Sequence, residues 1–131
     1  MLGDKHGDID LSLDGNIIIA TFVGSFNEEC IIEYSDNIKA MVAEFGDQPF
    51  AILVDNRKLE GGTPEAYGVL EGYNQWLLTT KIVAKAFITP SSITMDIINS
   101  YAPSIKVQNS KNLSSKEEAL DWLKEQLALA T

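Results

Sequence analysis

Apolar and polar residues alternate from Ile9 to Leu13, Asp14-Gly15 supplies a tight turn, and Asn16 to Val23 continues as a second β-rich run. This pattern predicts an antiparallel hairpin. Past Gly24 and Ser25 the period changes. Ile31, Ile38, Met41, Val42 and Phe45 fall at helical spacing and Gly46 is placed to close the last turn, so a first helix is expected from Asn27 to Phe45. Phe50 to Val54 is apolar at every position, as a strand covered on both faces requires. It is expected to be central, to end on Asp55 and to empty into a charged, glycine-bearing loop. A helix start follows, with Thr63 as cap, Pro64 at the first helical position and Glu65 facing the positive end of the dipole. That second helix is expected to reach Leu78 and to bury Ala66, Val69, Leu70, Tyr73, Trp76 and Leu77.

Ile82 to Ile88 reads as another strand. Thr89-Pro90-Ser91-Ser92 then turns and caps a short helix, Ile93 to Tyr101, and Ile105 to Asn109 alternates as an edge strand would. Ser114 and Ser115 stand three residues before Glu117 and Glu118, a capping-box spacing, and Leu120, Leu123 and Leu127 give the last helix its apolar stripe. Residues 1–8 are expected as an N-terminal tail. The order ββαβαβαβα implies a single α/β domain whose mixed five-stranded sheet has parallel strands after the hairpin, each joined by a right-handed crossover.

Composition narrows the function classes more than it names one. At 131 residues the chain suits one core, and 45% hydrophobic with 22% charged residues is ordinary globular usage. A net charge of −9 opposes binding to a phosphate backbone or an anionic membrane surface, so nucleic acid is not an expected partner. No stretch approaches the roughly 20 apolar residues of a membrane span. The lone Cys30 favours a reducing compartment, the cytoplasm, and is read as a small packed hydrophobe.

With one histidine, His6 in the polar tail, and one cysteine, neither a zinc spacing nor a Cys-His nucleophile motif is present. No metal and no cofactor are expected. Asp8, Asp10 and Asp14 lie on a strand and turn rather than in a calcium loop. Asp55, Glu60 and Glu65 could line a cleft and divide acid and base roles, but Arg57 and Lys58 between them favour a neutralised ion-pair loop. The Thr89-to-Ser92 turn could offer helix amides to an anion, although capping is the simpler use of its hydroxyls. Gly68 and Gly72 stand four apart in the second helix, where each costs up to about 1 kcal/mol against alanine. Either they are tolerated, or a backbone, ligand or subunit approaches there, close to Trp76 and the rings of Tyr67 and Tyr73.

The element order, the Val54-Asp55 strand end and the terminal run Glu118-Ala119-Leu120-Asp121-Trp122-Leu123 together resemble the SpoIIAA-like family of small bacterial STAS-type proteins, over nearly the whole chain. Members that act as anti-sigma-factor antagonists carry a phosphorylatable serine, in a D-S-S-G motif, at the start of the helix after the third strand. Here Gly62-Thr63-Pro64-Glu65 occupies that place. Thr63 matches the position, while the aspartate, the second serine and the following glycine are absent, so its hydroxyl is read as a cap, with a regulatory role as the alternative. The family's fold also resembles lipid-binding CRAL-TRIO domains. The resemblance implies a non-catalytic regulatory or protein-protein interaction module, acting through Asp55, Arg57, Glu60, Thr63 and Glu65 on a protein partner. A carrier of a small apolar ligand lying beneath the second helix near Gly68, Gly72 and Trp76 is the alternative, and an enzyme using the loop carboxylates is a third. Exposed apolar side chains beside the two glycines would make a homodimer reasonable.

Overall fold

A computed structural model describes residues 7–89, 96, 100 and 103–130. It begins with the hairpin, β1 (Gly7–Asp14) and β2 (Ile17–Phe26), paired antiparallel from Gly7 opposite Gly24 to Asp14 opposite Ile17. The two turn residues are therefore Gly15 and Asn16, one position later than expected. Gly15 has φ 58°, a left-handed conformation open to glycine at no steric cost. Gly7 and Asp8, expected in the tail, belong to β1, so the ladder starts earlier than the alternation alone suggests. His6 lies outside the described residues.

Helix α1 (Glu28–Phe45) is capped by Asn27, whose side chain accepts from the backbone N–H of Cys30 at 3.1 Å, and it closes on Gly46 at φ 61°. Strand β3 (Phe50–Gly62) leads through the Thr63 cap into α2 (Pro64–Leu77), after which β4 spans Ile82–Ile88 as expected. The expected helix from Ile93 to Tyr101, together with Ser91 and Ser92, lies outside the described residues apart from two isolated positions. Pro103–Val107 forms a 3-10 turn and the last strand, β5, is Ser110–Leu113. This corrects the edge strand expected from Ile105 to Asn109. Pro103 lacks the N–H that a sheet ladder would use, and Ile105 is only 2% exposed in the core beside α2. Pairing with Lys85 to Ile88 then holds the polar sequence Ser110-Lys111-Asn112-Leu113 extended. The final helix, α3 (Lys116–Leu129), starts as its capping box predicts. The Ser115 hydroxyl accepts from the Glu118 N–H, and Ser114 donates to the Glu118 carboxylate.

The sheet order is β1-β2-β3-β4-β5, with β1 antiparallel and the rest parallel. Helices α1 and α2 pack together on one face, and α3 covers β3, β4 and β5 on the other. Because side chains alternate along a strand, the central strands divide between two cores. Ile18, Ala20, Phe22, Ile52, Val54 and Phe87 meet α1 and α2, whereas Ile17, Ile19, Leu53, Ala84 and Ala86 meet Ala119 and Leu123 of α3. Fully burying each large apolar side chain is worth about 1.5–3 kcal/mol. Of the stripe expected on α2, Ala66, Tyr73 and Leu77 are fully buried, while Val69, Leu70 and Trp76 are partly so.

Candidate functional site

The largest departure from the sequence expectation falls on β3. Asp55 is its last residue paired with β4, opposite Ile88, yet the strand does not stop there. It continues to Gly62 along β2, with Val23 opposite Lys58 and Phe26 opposite Gly62. Two register shifts each place one more residue on β3 than on β2, and the first falls beside Asn56 and Arg57. Such bulges re-aim side chains. The segment expected as a loop is therefore a bulged strand extension. Among the described residues no strand pairs its other edge.

Asp55 itself is almost fully buried. Arg57 clasps its carboxylate with two side-chain bonds, Nε to Oδ1 at 3.0 Å and Nη2 to Oδ2 at 2.7 Å, and adds a backbone N–H bond to Oδ1 at 3.1 Å. This bidentate clasp, with a smaller attraction from Lys116, holds the carboxyl below its ordinary value against the opposing effect of burial. A general acid needs the opposite shift, so this carboxyl is not set up for that role. Glu60 and Glu65 are exposed, and among the described residues no group of three acidic, histidine or cysteine side chains could hold a metal ion.

The Thr63 hydroxyl accepts from the Ala66 N–H at 3.1 Å, and its own N–H donates to the Phe26 carbonyl, tying the start of α2 to the end of β2. Gly68 and Gly72 are exposed, and a Cβ built on either would meet nothing within 4 Å. Of the alternatives for this pair, an approach by this chain's own backbone is not found among the described residues: both glycines face outward. Trp76 instead lies against α1, beneath Lys39 at 5.5 Å.

An apolar cavity of about 50 Å³ does lie under α2, on the face opposite the glycines. Phe22, Val54, Tyr67, Leu70 and Phe87 line it, and exposed Gly62 stands at its rim. Two polar side chains share the wall, and sequence reasoning singled out neither. Lys85 of β4 is 2% exposed and donates from Nζ to Asn74 Oδ1 at 2.9 Å, with the rings of Tyr73 and Phe87 at 5.2 and 5.4 Å. Burial lowers its pKa to about 7. Asn56 of β3 is 3% exposed, and among the described residues its Oδ1 has no hydrogen-bond partner.

Around this wall the polar groups are tied together. Asn74 Oδ1 also accepts from Gln108 Nε2 at 2.7 Å, and its Nδ2 donates to the Leu70 carbonyl. Glu71 takes the Ser104 N–H at 2.8 Å and the Ser104 hydroxyl, which fastens the 3-10 turn to α2. Tyr34 of α1 and Tyr73 of α2 join their hydroxyls at 3.2 Å in an edge-to-face pair. Burial pushes Tyr34 up to about 12 and Tyr73 well upward, so both stay neutral. The signal for Lys85 was present in the run Ile82-Val-Ala-Lys-Ala-Phe-Ile88: a cation at its centre shares a strand face with Phe87 and must enter the core.

Solved structures with the same arrangement decide the fold. An uncharacterised protein of the DUF3478 family with a SpoIIAA-like fold, from Shewanella loihica PV-4, matches with a TM-score of 0.68 at 19% identity, over 94% of this chain and 98% of that one. The fold is SpoIIAA-like. The anti-sigma factor antagonist SpoIIAA in its unphosphorylated form matches with a TM-score of 0.66 at 12% identity, over 90% of this chain and 97% of that one. An anti-sigma factor antagonist from Mycobacterium paratuberculosis matches with a TM-score of 0.58 at 12% identity, covering 95% and 99% of the two chains. No family model and no curated protein matches the chain. At these identities the SpoIIAA-like fold is what is shared. Among the described residues no helix is long and apolar enough to cross a membrane.

Proposed function

We propose that the protein is a regulatory binding module without catalytic chemistry of its own, and that its partner is another protein engaged through the end of β3 and the first turn of α2. The extension of β3 carries this proposal. Past Asp55 the strand runs on with exposed Arg57, Lys58 and Glu60 and leads through Thr63 to exposed Glu65. A ribbon held along one edge and charged on its surface offers both salt-bridging side chains and backbone groups to a partner. Pairing with β2 already holds its backbone extended, which lowers the ordering cost of binding. The regulatory class is supported by solved structures of this fold whose proteins are anti-sigma factor antagonists, which makes an anti-sigma factor the class of partner to test first.

The test is a binding measurement on a cross-linked and identified partner, comparing the natural chain with a variant in which Lys58 and Glu60 are both replaced by serine and Arg57, the partner of buried Asp55, is kept. Circular dichroism establishes that the variant is folded. Affinity is expected to fall at least about tenfold, with the loss mostly in the association rate at low salt. Equal affinity for every identified partner would remove the β3 extension as the contact surface.

A further inference from the structure

The cavity beneath α2 holds two polar groups that the β3 surface does not use. Lys85 brings an amine into an apolar wall, and among the described residues its only polar partner is the neutral amide of Asn74. Asn56, one strand away on the same wall, brings a buried carbonyl oxygen with no donor among the described residues. Buried amines are ordinarily matched by a counter-charge and buried carbonyls by a donor, because leaving either unmatched is costly. Both groups line one cavity whose other walls are almost wholly hydrocarbon.

We propose that this cavity binds the head of a small apolar monocarboxylic acid, one carboxyl oxygen meeting Lys85 Nζ and the other meeting the Asn56 amide. The alkyl part then runs against Phe22, Val54 and Leu70 toward the rim at Gly62. A single amine balances a single negative charge, so the bound pair is neutral wherever its proton resides. A phosphate dianion would leave one charge uncompensated against apolar walls. The Asn56 amide serves either form of the head: Oδ1 accepts from an acid O–H, and a half-turn of the amide presents Nδ2 to a carboxylate oxygen. A volume of about 50 Å³ is well below the ~150 Å³ that encloses a benzene molecule. The cavity therefore encloses the head and first carbons, and a longer chain emerges at the rim.

Proton balance gives the binding a sign. The carboxylate pairs with the ammonium form of Lys85, so above about pH 7 the free protein must take up a proton on binding. Other titratable groups around the wall do not reverse this. Tyr34 on α1 and Tyr73 on α2 remain neutral, and Asp55 on β3 is held by Arg57. Desolvation works to raise Glu71 on α2, but bonds from Ser104 and Gln75 keep it below its ordinary value and therefore charged.

Titration calorimetry of the full chain with sodium hexanoate, 1-hexanol and sodium phosphate tests the site. Hexanoate is expected to bind at least about tenfold more tightly than 1-hexanol near pH 6.5, and to weaken by up to about tenfold per pH unit above pH 7. Phosphate should not compete. Lys85→Met should reduce hexanoate to the affinity of 1-hexanol while leaving 1-hexanol unchanged. A readout on the natural chain needs no variant: saturating hexanoate should raise the pKa of Lys85, followed by its 13Cε shift, by at least about one unit. The proposal is overturned by any of three results: no hexanoate binding up to about 10 mM, equal affinity for hexanoate and phosphate, or a Lys85 pKa that hexanoate does not move.

Discussion

Asp55 and Lys85 are ionisable side chains buried on neighbouring central strands, and the chain treats them in opposite ways. Asp55 receives an arginine two residues along the same strand, which meets it with two side-chain bonds and carries the far end of the pair into solvent. Lys85 receives one neutral amide and two aromatic faces. The first carboxyl is held more acidic than usual and the second group is made less basic. A buried charge with a bidentate local partner has its structural explanation within the chain. Among the described residues the buried amine has no counter-charge, and the carboxylic acid proposed above would supply it.

The strongest way to break this contrast is Lys85→Met, which keeps the volume and removes the amine. Asn74 Oδ1 keeps its bond from Gln108, so the substitution strands no acceptor. Lys85 has a folded pKa near 7 against an ordinary 10.5. Between these values the unfolded chain binds a proton that the folded chain does not, so stability is fully present above about pH 10.5 and is lost as pH falls to about 7, with no further loss from this group below that. The variant should therefore be more stable near pH 6 by on the order of 3–5 kcal/mol, and the gap should close toward pH 10. Urea unfolding at several pH values measures this, and a destabilised variant with an unchanged pH slope would put Lys85 in a satisfied site after all.

Tyr34 and Tyr73 sharpen the comparison, because they are buried polar groups that satisfy each other. Tyr73→Phe should cost about 1–3 kcal/mol by leaving the Tyr34 hydroxyl unpaired, and adding Tyr34→Phe should return part of that loss. A double-mutant cycle in denaturant reads the coupling, and simple additivity would show the pair to be inert.

How much of this could be read in advance differs from element to element for physical reasons. Strand β4 and the Thr63 and Ser115 caps were legible because their signals are local: an apolar run, or an oxygen placed before a helical period. The β3 extension was not. Arg57 to Gly62 has the charges and glycines of a loop, and only the length of β2 beside it makes the segment a strand. Ile105 to Asn109 misled in the other direction, since alternation suits a strand but Pro103 and the buried Ile105 produce a 3-10 turn. At the candidate site, Asp55, Arg57, Glu60, Thr63 and Glu65 do lie on one stretch of β3 and the start of α2, whereas Gly68 and Gly72 face outward, away from the cavity. Asn56 was hidden, and Lys85 was legible only as a cation inside an apolar run, because bringing the two to one wall depends on register, which no short motif encodes.

Smaller effects separate the two faces of α2. Thr63→Ala should cost about 1 kcal/mol through the lost cap, and Thr63→Ser should restore most of it, as thermal unfolding would show. Failure of serine to rescue would mean that the threonine methyl, and not the cap, holds the helix start. Gly68→Ala and Gly72→Ala should each stabilise the protein by roughly 0.5–1 kcal/mol, since both positions are helical and open. Destabilisation at either would reveal a neighbour seated on that face, such as a second copy of the chain.

The most direct measurement is the pKa of Lys85 in the free protein, from a 13C titration of lysine side chains assigned by comparison with Lys85→Met. A midpoint near 7, well apart from the other lysines, is the expected result. A midpoint near the ordinary 10.5 would mean that water or an anionic group already reaches the amine, and the contrast between Lys85 and Asp55 would disappear.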